Sequence, residues 1–444
     1  MSHFRKLAIP ALVAAALAPA GMTAQAAETV KMSVVAFLSG PGAGPFGVPS
    51  RNGAELIINA INAAPPKKGK ASKQLPPPYN SMGLAGRKIT VEFIDESGGN
   101  TKQVAEYRNM VEKRGVDVAL GYISSGTCAA LTPVAEELKK LTVYAVCGTP
   151  RIFEEAKRKY VFRTMGHSTS DNVAAAYYIR ENFPKVTTYT GINQNYAWGQ
   201  DSFRDFDGTM NLLSKGKATK SGALQWPKIF QGQYSTEISA LLLDKAKVIH
   251  TSFWDGDLES FILQGQTRGL FKKKKVIFTV GETSAYRLNK RMPNGAILGA
   301  RGPYGAIVRD RDSALNKWFI KAYQDRFGSL PPGPAYQYGQ AVLAVKYAYD
   351  KAAKGAGGFP SQDQVIAALK GASFESFATT VKMSLGDGHQ AVTENGYGIT
   401  KWDPKAGELK MEKIKFYPAE CVNPPEGVNS VEWIKGGMKG AKCK

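Results

Sequence analysis

The sequence predicts an α/β protein of two similar lobes, each a largely parallel sheet covered by helices and joined to the other more than once. Three observations carry this. Short apolar strands alternate with amphipathic helices along the first half of the chain. The same rhythm restarts near Lys185. The 444 residues are also too many for one ordinary hydrophobic core.

The first unit opens with the buried-strand pattern VKMSVVAFL (30–38), followed by SRNGAELIINAINA (50–63), whose apolar residues recur at helical spacing. KITVEFIDE (88–96) reads as a strand, and TKQVAEYRNMVEKRG (101–115) as a helix that Gly115 ends. VDVALGY, PVAEELKKL and TVYAV continue as strand, helix and strand, which calls for right-handed crossovers around a parallel sheet. The second unit reads KVTTYTGI, QDSFRDFDGTMNLL, KIFQG (228–232), TEISALLLDKA, KVIHTSFW, GDLESFILQGQTRG and KKVIFTV. After Gly299 come three helical segments, then the hairpin-like YGITKWDPKAGELKMEKIKFY (397–417).

The N-terminus has a basic start (Arg5, Lys6), an apolar run from Leu7 to about Pro19, and Ala24 and Ala26 at A-x-A spacing. That is the grammar of a secretory signal over residues 1–26, cleaved near Ala26, and it predicts export to the periplasm. Losing Arg5 and Lys6 leaves the chain strongly basic, since Lys and Arg number 58 against 37 Asp and Glu. Export argues against nucleic acid as the partner, and the Lys clusters read as solvated segments. One lies in the Pro-rich insertion at 65–80 and another at Lys272 to Lys275.

Four Cys in an oxidising compartment favour disulfides over metal or thiol chemistry. Cys128 and Cys147 lie just past two successive strands, where neighbouring loops approach each other. Cys421 and Cys443 bracket a Pro/Gly-containing tail, 418–444. The expected pairs are 128 with 147 and 421 with 443, although sequence permits three connectivities.

Several enzyme motifs fail. GAGPFG (42–47) satisfies G-x-G-x-x-G, but Pro45 and Pro49 remove N–H groups where a pyrophosphate would need them, and no acidic residue stands about 20 positions on. There is no P-loop, and the stretch GYISSGTCAALTP (121–133) lacks the spacing of a nucleophile elbow. A secreted hydrolase would need Ser125 or Ser124 with His167 or His250 as base, and a hydrogen-bonded histidine at a strand end is the simpler account of either ring. No histidine pair has metal-ligand spacing, so neither cofactor nor metal is expected, and no catalytic residue is assigned.

What remains is a set of loops just past strand carboxyl ends, where open α/β sheets bind ligands. They are SGPGAGPFG (39–47), SSGTC (124–128), CGTP (147–150), NQNYAWG (193–199), FWDGD (253–257) and GETS (281–284). Together they offer small hydroxyls, backbone N–H groups, aromatic rings and acidic side chains, a chemistry for holding a small zwitterion.

On these segments, together with CGTPRIFEEA, VFRTMGHS, SFWDGDLESFILQGQTRGL and their order, the chain resembles the periplasmic solute-binding proteins of ABC transporters, in the type I leucine/isoleucine/valine-binding group, over about residues 29–417. The resemblance implies the type I periplasmic binding protein fold: two Rossmann-like lobes that close on a solute around a three-segment hinge. Lobe 1 would comprise 28–163 and 303–380, and lobe 2 166–298 and 390–417, with crossings near 161–166, 298–303 and 380–390. Carried over by motif, Ser125, Gly126 and Thr127, with Ser124 beside them, and Cys147, Gly148 and Thr149 would receive the solute carboxylate. Phe46, Tyr196, Trp198, and Trp254 or Asp255 would contact the rest, and Glu282 would pair with an ammonium. Cys147 and Gly126 depart from the group's usual residues there, which widens the cradle. The implied function is capture of an apolar or aromatic amino acid and its delivery to a membrane ABC permease by a monomeric receptor. The alternative solute is an aromatic carboxylate or related organic acid.

Overall fold

The computed structural model describes Met1 and residues 28–65 and 74–443. The predicted signal segment and the centre of the insertion at 65–80 lie outside the described residues. The chain first builds β1 (Val30–Ala36), β2 (Ile89–Asp95), β3 (Val118–Gly121), β4 (Thr142–Tyr144) and β5 (Val161–Arg163), all parallel, in the order β2-β1-β3-β4-β5. It then crosses and repeats the same plan with β6 (Thr188–Gly191), β7 (Thr219–Lys220), β8 (Val248–Thr251), β9 (Lys275–Phe278) and β10 (Ile297–Gly299), in the order β7-β6-β8-β9-β10. Each half is therefore doubly wound, with the order reversing beside its first strand. That reversal opens a crevice at the strand carboxyl ends in which ligands bind.

After β10 the chain returns to the first sheet through the helices Ala314–Phe327, Gly333–Ala356 and Gln362–Leu369. There it adds β11 (Ser373–Glu375), β12 (Thr380–Leu385) and β13 (Gln390–Val392), the last parallel to β5. It crosses a third time into β14 (Asn395–Asp403) and β15 (Glu408–Tyr417), an antiparallel hairpin that borders β10. The first two changes of sheet fall at 164–167 and after Gly299. The third follows Val392, beyond the expected 380–390, because β12 and β13 still pair within the first sheet.

Asp171, on the first turn of the helix Ser168–Asn182, joins the three crossings. One of its oxygens accepts Arg301 Nε at 3.0 Å and the other Asn395 Nδ2 at 2.6 Å, while its carbonyl accepts the Tyr397 hydroxyl at 2.7 Å. All four residues are buried. Burial raises the carboxyl of Asp171, opposed chiefly by the Arg301 charge.

KIFQG is not an element of the second sheet. The Phe230 and Gly232 N–H groups donate to the Asp257 carboxylate at 2.7 and 3.1 Å instead of to a neighbouring strand, which holds this segment as a loop over the cleft. Cys128 pairs with Cys147 and Cys421 with Cys443. Among the described residues no helix is long and apolar enough to cross a membrane.

Candidate functional site

The predicted loops converge where the two sheets face each other. Phe46, Ile123, Ser125, Val146 and Gly148 come from the first lobe, and Tyr196, Trp198, Trp254, Val280 and Arg301 close the other side, around a cavity of about 240 Å³ including its mouth. Of the sequence-predicted residues, Phe46, Ser125, Gly148, Tyr196, Trp198 and Trp254 line it.

Aromatic rings from both lobes shut the mouth. Trp254 meets Phe46 edge-on at 5.7 Å and packs near Phe37 and Phe230 at 5.7 and 5.9 Å. Its indole Nε1 donates to the Tyr196 hydroxyl at 2.7 Å, so that hydroxyl keeps its own proton to offer elsewhere. Burial drives the Tyr196 phenol well above its ordinary range, so it is a donor at every physiological pH. Trp198 Nε1 donates to the Ser252 carbonyl at 2.8 Å, which fixes the ring that the Arg301 guanidinium covers at 4.2 Å. A side chain at Gly148 would meet both: its Cβ would lie 2.3 Å from the Trp198 ring and 2.5 Å from Arg301 Nη2. Only glycine lets the loops approach this closely.

Arg301 is the cavity's cation, and sequence reasoning missed it. It is buried in the second crossing, its Nε bound to Asp171 and its Nη1 donating to the Val146 carbonyl at 2.9 Å. Its Nη2 has no protein partner. A buried, unpartnered guanidinium N–H beside apolar and aromatic walls is a place for an anionic oxygen.

The expected carboxylate cradle is used differently. The N–H groups of Ile123 and Ser124, at the start of the helix Ser125–Glu137, donate at 2.8 Å each to Glu96, whose carboxyl burial pushes up to about 8. Ser124 Oγ accepts from Thr127 N at 3.4 Å as the N-cap. Gly126 lies beside Asn100, and the Thr127 hydroxyl donates to Asn100 Oδ1 at 3.3 Å. Ser125 Oγ accepts from Gly148 N at 3.0 Å and Thr149 N at 3.2 Å, which leaves its hydroxyl proton to the cavity. Thr149 donates across the cleft to Asp201 at 2.7 Å, and Arg151 reaches the same carboxylate at 2.7 Å. These two bonds latch the lobes together.

Ser124, Gly126, Thr127 and Thr149 do not line the cavity, and neither do three further predicted contacts. Cys147 is buried and held in its disulfide. Glu282 is buried, and its oxygens accept Ala306 N at 2.8 Å and Gly333 N at 2.7 Å; burial lifts its carboxyl to about 7. It braces the second crossing against the helix Gly333–Ala356. Asp255 sits in left-handed backbone at φ 60°, with one oxygen accepting Asp257 N at 2.6 Å and the other without a protein partner. Burial, with Asp257 adding to it, holds its carboxyl well above the usual range.

The pairing a hydrolase needs is not formed. His250 Nε2 bonds Asn172 at 2.6 Å, and burial pushes its imidazole down to about 3. His167 lines a different cavity.

Two doubly wound lobes thus face each other across a cavity at their strand carboxyl ends. The family described as periplasmic binding protein matches residues 29–408, and the chain belongs to it. The Leu/Ile/Val-binding protein of Escherichia coli (strain K12) is 23% identical over 262 residues, which cover 59% of this chain and 64% of that protein. The chain thus spans less than two thirds of the length of the curated relatives it matches. Among solved structures, a solute-binding protein of an ABC transporter from Rhodopseudomonas palustris BisB5, in complex with 3,4-dihydroxybenzoic acid, has a TM-score of 0.69 at 21% identity, covering 88% of this chain and 98% of that one. An R. palustris solute-binding protein in complex with benzoate reaches 0.70 at 18% identity, over 90% and 100% of the two chains. An amino acid ABC transporter substrate-binding protein from Pseudomonas fluorescens Pf-5 reaches 0.71 at 16%, over 88% and 96%. At these identities the likeness is one of fold.

Proposed function

We propose that this chain is the periplasmic solute receptor of an ABC importer and that its solute is a small aromatic carboxylate. The unpartnered Nη2 of Arg301, a residue that lines the cavity together with Phe46, Trp198 and Trp254, carries the reading. In it the solute carboxylate takes Arg301 Nη2 and the Ser125 hydroxyl, the ring packs among the aromatic side chains, and the Tyr196 hydroxyl serves a polar substituent. Closure buries the solute, and a membrane permease recognises the closed form. No bond of the solute is broken. The complexes with benzoate and 3,4-dihydroxybenzoic acid among proteins of the same fold support this solute class.

An α-amino acid is the second reading, favoured by the Asp255 oxygen that lacks a protein partner and by the Leu/Ile/Val-binding relative. It requires an ionised carboxylate in the cavity for the ammonium, and the oxygens of Glu282 are taken. Isothermal titration calorimetry against benzoate, 4-hydroxybenzoate, phenylalanine and leucine separates the two. Binding of the benzoates without the amino acids is expected, and binding of phenylalanine or leucine alone sinks the aromatic-acid reading.

A further inference from the structure

A second cavity, about 550 Å³ including its mouth, lies between the first lobe, the first crossing and the C-terminal segment. It shares no lining residue with the cleft. Its floor is Arg163 and His167, its apolar wall Phe153 and Leu385, and Val428 and Asn429 cover it.

Arg163 is fully buried and makes no ion pair among the described residues. Nη1 donates to the carbonyls of Cys147 and Thr149 at 2.6 and 2.7 Å and Nε to Gln390, while Nη2 has no protein partner. His167 Nδ1 is buried and equally unpartnered. Burial, with Arg163 and Arg301 adding to it, keeps that imidazole neutral, free to donate or accept. The carboxylates nearby are engaged elsewhere: Glu154 accepts from Asn429 Nδ2 at 2.9 Å and from Ser430 N at 3.1 Å, and Glu426 from Asp387 N at 2.8 Å. Glu154 and Asp171 act on Arg163 through space without forming an ion pair with it, and an anion at Nη2 would compensate the buried guanidinium directly.

We propose that this cavity binds a small aliphatic monocarboxylate, its oxygens on Arg163 Nη2 and His167 Nδ1 and its alkyl end against Phe153 and Leu385. The covering segment is closed on itself by Cys421–Cys443 and tied to the second lobe by Cys421, Trp433 and Ile434 in that lobe's core, whereas Phe153, Glu154 and Leu385 belong to the first. The occupant therefore bridges the lobes in their closed arrangement. It also sits one guanidinium away from the carbonyls that flank Gly148 in the cleft.

The test is thermal unfolding of the exported chain at neutral pH and constant ionic strength, with propionate replacing chloride. Propionate at tens of millimolar is expected to raise the melting temperature by about 2 °C or more, while inorganic phosphate does not. Val428→Trp, made at a residue 40% exposed and remote from the cleft lining, fills the cavity from its cover and should abolish the response. Val428→Glu supplies an internal carboxylate and should raise the starting melting temperature while also removing the response, which serves if the Trp variant does not fold. A propionate response equal in wild type and both variants assigns binding elsewhere, the cleft included, and overturns the proposal. So does no response in wild type, or one that chloride alone reproduces.

Discussion

Arg301 and Arg163 are both buried, each lines a cavity and each has an Nη2 without a protein partner, yet they are neutralised by different means. Arg301 has a carboxylate at 3.0 Å, Asp171, and a ring beneath it, Trp198. Arg163 has backbone carbonyls and an amide, and burial, with Arg301 adding to it, lowers its guanidinium to about 9. The difference is one of preorganisation. The cleft arginine is held in orientation by a carboxylate that also ties the three crossings. The hinge arginine keeps its place by hydrogen bonds and by the Phe153 ring 5.3 Å away, with no carboxylate paired to it, and gains most from an added anion.

The largest expected effect comes from breaking the preorganised side. Asp171→Ala leaves Arg301 uncompensated and releases Asn395, and should cost about 3–5 kcal/mol of stability by urea unfolding. Arg301→Gln should weaken aromatic-acid binding by roughly 10- to 150-fold in calorimetry, the worth of a charge-assisted hydrogen bond. An unchanged affinity would put the solute carboxylate somewhere else.

Next is the strand end that Arg163 grips. Replacing Cys128 and Cys147 together by Ala opens a bridge with sequence separation 19. A loss of about 3 kcal/mol is expected, read as a lower urea midpoint.

A third test uses pH. Glu96 and Glu282 titrate near 8 and 7 when folded because burial disfavours their charged forms. Between the ordinary carboxyl range and those values the folded chain binds more protons than the unfolded one. Stability therefore falls as pH rises from about 4.5 through 8, by up to about 1.4 kcal/mol per pH unit for each group. Glu96→Gln should flatten that slope in melts run from pH 5 to 8; an unaltered slope would mean Glu96 is ionised in the fold.

The smallest effect is expected at Glu282. Glu282→Gln should leave aromatic-acid affinity within about twofold, because the residue supports backbone N–H groups and does not touch the cavity. A loss of tenfold or more for an amino acid would restore it as an ammonium partner.

The legible part of the site and the missed part differ in kind. Phe46, Tyr196, Trp198 and Trp254, which the resemblance implied by motif, line the cavity from loops that follow strand ends, where a doubly wound sheet brings side chains to its crevice. Arg301 lies in an unremarkable Gly-Ala-Arg-Gly-Pro, and its role depends on Asp171, 130 residues away. Glu96 ends a strand like many acidic residues, and nothing local says that it will fill a helix N-terminus that a solute was expected to fill. Glu282 stands where an ammonium partner was expected, but the return of the chain at Gly333 claims its oxygen.

Local periodicity and chain order were enough for the two repeated α/β units and the loops that face each other, because each follows from spacing along the chain, whereas the choice among three cysteine connectivities was made by the structure. Which buried charges are spent on the fold and which stay free for a ligand was decided only in three dimensions. A carboxylate or guanidinium is neutralised by whatever stands within about 4 Å of it, and that distance is set by segments far apart in sequence.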